Sequence, residues 1–385
     1  MNEIKKTIKK ISKSVTLMEL FYDLVFVFGI SQFKNIFEHH DHSPVTYVDF
    51  LKLSLVLIIL IKIWITKTIA INKYGQNKTF EKLFILFDIG VIMYMTNSIN
   101  AEWEITFKSF NIALSVIYFS FSVQNIYYWT RNKNLNQHKL TFVINSFYFL
   151  TIGILVMIFA FLPYHIGIYL IIITIGLSWI LPLFWRPWVK NNNQGINLPH
   201  LIERLNLLTI IFFGEMLIVL SYYFKDLDWK GVLGMFFVGS LFIYYIHYFE
   251  KLIDHHSDVK RWYIMVLVHI IIYLSLTLLT LDYEFNLHHT ISNRAIWIIC
   301  FAVLFIYVVM MNILRITFPK QSAQKRKISI GVVPIIIFIL VCTLGTIYEK
   351  NLNEQTRFII VMLSFVLVHI DLNVYTFVTK IRKKS

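Results

Sequence analysis

Residues 262–281 read WYIMVLVHIIIYLSLTLLTL, twenty positions without one Asp, Glu, Lys or Arg. A helix of about 20 apolar residues crosses the roughly 30 Å hydrocarbon core of a bilayer, and only a helix satisfies its own backbone polar groups there. The stretch reads as a membrane span, and eleven others of comparable length lie to either side. In chain order the spans are expected at 16–37, 47–71, 80–99, 107–129, 140–162, 166–185, 203–224, 229–250, 262–281, 294–316, 328–348 and 356–379. The fold class is all-α, a polytopic integral membrane protein of about twelve transmembrane helices.

Charge placement orients those spans. Of the 36 Lys and Arg, 27 precede the first span or follow even-numbered ones, and 7 fall in the other gaps. Short basic loops stay in the cytoplasm, so both termini are expected there, in a protein of the cell membrane. The net charge of +14 would suit nucleic acid, but the cytoplasmic loops and tails explain it, and they face anionic lipid headgroups. With 57% hydrophobic and 15% charged residues, the composition excludes an ordinary soluble domain. Expected partners are membrane lipids and a small ion or solute, with no nucleic acid; a homo-oligomer is compatible with the sequence.

In residues 1–15, Ile4, Ile8, Ile11 and Val15 alternate with Lys5, Lys6, Lys9, Lys10 and Lys13. This segment reads either as an amphipathic helix on the cytoplasmic leaflet or as a basic tail that orients the first span. Residues 16–185 and 203–379 each hold six spans, joined by an Asn-rich connector at 186–202, and 380–385 is a basic tail. Cys300 and Cys342 sit in apolar spans and read as packing residues. Trp179, Trp185 and Trp188 read as an interfacial aromatic belt, and Pro334 as a kink inside span eleven.

The most specific strings are MELFYDLVFVFGISQ at 18–32 and ERLNLLTIIFFGE at 203–215. They resemble the low temperature requirement protein A family of bacterial membrane proteins, whose first helix carries a similar E-L-F-F-D-L-V-F-V-F pattern and a later helix E-R-x-G-L-x-x-I-x-x-G-E. The matching positions are Glu19, Leu20, Phe21, Asp23, Glu203, Arg204, Gly214 and Glu215, and Asn206 stands where a small residue is usual. The resemblance implies a multi-pass protein with a cold-growth association and no settled biochemical activity. The two strings also align with each other: Glu19 over Glu203 places Leu17, Leu24 and Phe28 over Leu201, Leu208 and Phe212. The offset spans six helices, so two six-helix parallel repeats are expected, a design seen in transporters.

Ionisable groups inside spans are costly and mark candidate sites. Counted along their helices, Asp23, Lys62, Asp88, His269, Asp371, His369 and Glu215 form a band about 10 to 18 Å from the cytoplasmic ends. Glu19 and Asp23, four residues apart, share one helix face, and two close carboxylates favour proton sharing or cation binding. Lys62 and Asp88, at matched depth, are expected to pair; Lys62 is also a candidate partner for Asp23. Glu215, beside Gly214, is the strongest lone proton or cation site, shared with Asp23 between the repeats, while His269, His369 and Asp371 either extend a relay or are satisfied polar residues.

The loop histidines (His39, His40, His42, His255, His256, His288 and His289) read as solvated, with no metal. No nucleotide-binding, zinc-protease or serine-hydrolase motif occurs, so no enzyme activity and no cofactor are expected. The favoured function is a proton- or cation-coupled secondary transporter of unknown substrate. The alternatives are an ion channel built from two six-helix repeats and a non-transporting membrane sensor or structural component.

Overall fold

The computed structural model describes residues 13–38, 45–131, 139–185, 196–224, 229–255, 261–288 and 293–320. Ten helices run through them: α1 Leu17–Ser31, α2 Tyr47–Tyr74, α3 Thr79–Thr96, α4 Trp103–Arg131, α5 Lys139–Phe159, α6 Tyr164–Trp185, α7 Leu198–Ser221, α8 Trp229–His247, α9 Trp262–His288 and α10 Asn293–Thr317. Among the described residues the only strand-like pairing is an isolated bridge between Ile253 and Pro319. Each of the first ten expected spans coincides with a helix, while those at 328–348 and 356–379 lie outside the described residues. Seven helices, α4 to α10, are long and apolar enough to cross a membrane. The chain is thus a multi-span helical protein, with seven such spans among the described residues.

The described residues fall into two compact units, the first made of α1 to α6 with α7 through Leu208, the second of Thr209 onward through α10. In the first, α1 packs on α3, α3 on α4, α4 along α5, and α5 on α6. Glycines set two of these approaches. A Cβ on Gly29 would lie 3.0 Å from the Thr96 side chain, and one on Gly153 would lie 2.6 Å from the Phe119 ring. The outer faces stay apolar, with Phe80, Leu83 and Phe87 of α3 and Phe147, Ile154 and Ile158 of α5 exposed, as suits a lipid-facing surface.

Local chemistry fixes the helix ends. Thr16 caps α1 in a capping box: its hydroxyl accepts from the Glu19 amide, and the Glu19 carboxylate accepts from the Thr16 amide at 2.7 Å. Lys13, expected to lie among the surface lysines of the basic segment, instead donates to the carbonyls of Ile71 and Gly75 at 2.7 and 3.0 Å and so closes the end of α2. Burial pushes its ammonium below the usual lysine range, opposed by Glu19 and Glu81.

α7 begins at Leu198, five residues before the expected start. Asn197 caps it by accepting from the His200 amide, and Pro199 sits in the first turn, where its missing N–H is harmless.

In the second unit α8 runs into a π-helical turn, Tyr248–Leu252. Phe212 of α7 stacks on Tyr273 of α9 with centroids 4.6 Å apart, and Tyr307 of α10 donates to the Leu241 carbonyl of α8.

Candidate functional site

Early α7 carries Arg204 directly onto the acidic face of α1. Glu19, Asp23 and Arg204 are at most 2% exposed. Arg204 Nη2 donates to Asp23 Oδ1 at 2.6 Å, and Nη1 lies 3.8 Å from Glu19 Oε1. Asp23 Oδ1 also accepts from Trp64 Nε1 at 2.7 Å, and the indole ring lies beneath the guanidinium, 5.5 Å from its carbon to the ring centroid. α2 therefore supplies both a donor for the acid and a π-face for the base.

A second set of contacts holds Glu19. His200 Nε2 lies 3.4 Å from Glu19 Oε2, and His200 Nδ1 lies 2.9 Å from Asn72 Nδ2. The amide is a donor, so Nδ1 accepts, and the ring proton belongs on Nε2, facing the carboxylate. Asn72 also donates to the Asn197 carbonyl and accepts from the Asn197 amide.

Several buried polar atoms of this cluster have no hydrogen-bond partner: Glu19 Oε1, Asp23 Oδ2, Arg204 Nε and Nη1, and the hydroxyls of Tyr22 and Thr68. Two carboxylates share one guanidinium. When both are ionised the trio carries one net negative charge in a low-dielectric surrounding, which a proton or a monovalent cation cancels.

The expected Lys62–Asp88 pair is corrected. Asp88 is paired with Lys67, whose Nζ donates at 2.7 Å to Asp88 Oδ2 and at 2.7 Å to Gln124 Oε1. Gln124 Nε2 donates back to Asp88 Oδ2 and to Ser120 Oγ, and Ser120 donates to Asp88 Oδ1 at 2.6 Å. The face of Tyr22 lies 6.0 Å from Lys67 Nζ.

The cause of the error is the end of α2. The helix runs to Tyr74, not 71, so Lys67 lies about 10 Å and Lys62 about 18 Å from its end, against about 13 Å for Asp88 from the start of α3. Lys62 is not the partner of Asp23 either. It donates to the Ser178 carbonyl at 2.8 Å and sits 4.4 Å over the ring of Trp179.

In the second unit Glu215 is buried on α7, and no described atom lies within 4 Å of where a Cβ on Gly214 would sit. Gly214 therefore does not serve a close helix approach among the described residues. His269 is buried in a defined chain: Thr209 donates to the Tyr245 hydroxyl, which lies 3.1 Å from His269 Nε2, while Nδ1 lies 2.7 Å from the Met265 carbonyl. A carbonyl only accepts, so Nδ1 carries the proton and Nε2 accepts from Tyr245.

Asp23 thus belongs to the first unit and Glu215 and His269 to the second, and His369 and Asp371 lie outside the described residues. Glu203, the alignment partner of buried Glu19, is exposed. Among the described residues no group of three or more His, Cys, Asp and Glu is placed to hold a metal.

The sequence reading missed Arg204 as the counter-ion, having counted it with the loop charges, as it did Lys67. The string Asn197-Leu198-Pro199-His200 held the signal: a cap residue followed by proline starts the helix early enough to bury Arg204. Ser120 and Gln124, four apart on α4, likewise marked a polar face for Asp88. A family model for the bacterial low temperature requirement A protein (LtrA) matches residues 14–379. No curated protein matches the chain.

Proposed function

The chain belongs to the bacterial low temperature requirement A family, and on that premise we propose that it is a cell-membrane secondary transporter that couples a proton or monovalent cation to the movement of a small solute. The observation that carries this reading is the Glu19–Asp23–Arg204 trio, with Glu19 Oε1 and Asp23 Oδ2 buried and without hydrogen bonds. A purely structural ion pair would match its charges and satisfy its oxygens, as Lys67–Asp88 does. Here one negative charge is left over and two acceptors face inward, which suits a site that is filled and emptied. Both termini are proposed to be cytoplasmic, on the loop charges, and no cofactor is invoked.

The test is full-length protein in liposomes loaded with a pH-sensitive dye and challenged with Na⁺ or K⁺ gradients. Coupled transport gives gradient-driven proton movement whose pH dependence shifts in Asp23→Asn and which Glu215→Gln abolishes, if the carboxylate of the second unit also carries protons. A current that follows voltage alone would replace this reading with a channel, and the absence of any flux would replace it with a non-transporting component.

A further inference from the structure

Lys62, left without its expected partner, is a buried cation in the middle of α2, about 18 Å from the end of the helix. It is 8% exposed, and among the described residues no carboxylate lies within ion-pairing distance of it. Its contacts are the Ser178 carbonyl at 2.8 Å and the face of Trp179 at 4.4 Å. Both are electron-rich but neutral, so the full positive charge stays uncompensated, and the carbonyl is already shared with the Tyr148 hydroxyl, which donates to it as well.

Around the ammonium the donors outnumber the acceptors. The indole Nε1 of Trp179 is buried with no hydrogen-bond partner, and indole nitrogen can only donate. The Tyr118 hydroxyl is buried against the Ser178 side chain, with no well-formed hydrogen bond among the described residues. The Ser178 hydroxyl gives its proton to the Ile175 carbonyl. One cation whose carbonyl acceptor is shared, one indole N–H without a partner and one phenol O–H without a well-formed hydrogen bond are thus gathered in an apolar surrounding, and a buried unmet donor is expensive.

We propose that Lys62, Trp179 and Tyr118 form a binding site for a small monovalent anion. Water would satisfy the donors but leave the charge uncancelled. A divalent anion such as phosphate would overshoot it by one unit, and a cation would add to the charge already there. One negative charge on an acceptor-only species, halide-sized or a simple carboxylate, answers the charge and the hydrogen bonds together. This site does not depend on coupled transport, since it is read by binding.

The experiment is thermal unfolding of the full-length protein in detergent, with gluconate replaced by chloride or by formate at constant ionic strength. The wild-type melting temperature is expected to rise and saturate with at least one of the two; a response to formate alone assigns the site to carboxylates. Lys62→Met should lose the response and, in gluconate, melt no lower than wild type, because the uncompensated charge is gone. Trp179→Phe keeps the ring but not the N–H, and Tyr118→Phe lacks the hydroxyl. Each should weaken the anion roughly tenfold, the equivalent of one hydrogen bond, which keeps the proposal testable if Lys62→Met fails to fold. No saturable response to either anion in wild type, the same response in Lys62→Met, or unaltered affinity in both aromatic variants would overturn it.

Discussion

Arg204→Gln removes the guanidinium that faces both Glu19 and Asp23 and leaves two carboxylates, at 1% and 2% exposure, without the ion-pair partner they share. Breaking a buried ion pair from one side costs about 3 to 5 kcal/mol. An independent bound gives the same size. The variant can discharge the site by keeping one carboxyl protonated, and for a carboxyl of ordinary acidity that takes about three pKa units at pH 7, or about 4 kcal/mol at about 1.36 kcal/mol per unit.

The expected loss is therefore about 4 kcal/mol at pH 7, shrinking to about 1.5 kcal/mol at pH 5, where the solution supplies the proton more readily. The sign follows from linkage: the variant's folded state holds a proton that its unfolded state releases, so stability falls as pH rises. Asp23→Asn in the Arg204→Gln background should recover part of the loss, because Glu19 keeps its bonds from Thr16 and His200. The assay is reversible SDS unfolding in mixed micelles followed by circular dichroism at both pH values. A loss under about 1 kcal/mol at pH 7, a loss independent of pH, or a double mutant additive within about 0.5 kcal/mol would refute the reasoning.

Lys67→Met should destabilise by about 3 to 5 kcal/mol and Asp88→Asn should partly rescue it, whereas Lys62→Met and Asp88→Asn should combine additively; coupling in the second cycle and none in the first would reverse the assignment. Tyr245→Phe should cost about 1 to 3 kcal/mol by leaving His269 Nε2 and the Thr209 hydroxyl short of a partner, and an unchanged melting temperature would contradict the chain drawn here. Single cysteines at Ser43 and Ser322 should label from opposite sides of the membrane, and labelling from one side would reject the charge-based orientation.

The sequence by itself determined that the chain is helical and membrane-spanning, because span length and hydropathy are local properties that need no partner. It located Glu19 and Asp23 on one face of α1 by their spacing of four, and it ranked the buried charges by depth. It did not determine which charges meet. Lys62 and Lys67 are five residues apart, which on a helix turns their side chains about 140° from each other, so one faces α3 and α4 and the other faces α6. A helix has no preferred rotation until its neighbours are in place, and the rotation of α2 that seats Trp64 against Asp23 is the one that sends Lys67 to Asp88 and leaves Lys62 at Ser178. Arg204 shows the same limit from the other side. Its basic character placed it with the loop charges, and only the early start of α7, docked through Asn72 and Asn197, carries it between two carboxylates 181 residues away from one of them in the chain. Pairing of buried charges is decided by the rotation and docking of helices, which are set by the contacts of the whole unit and are not written in any one span.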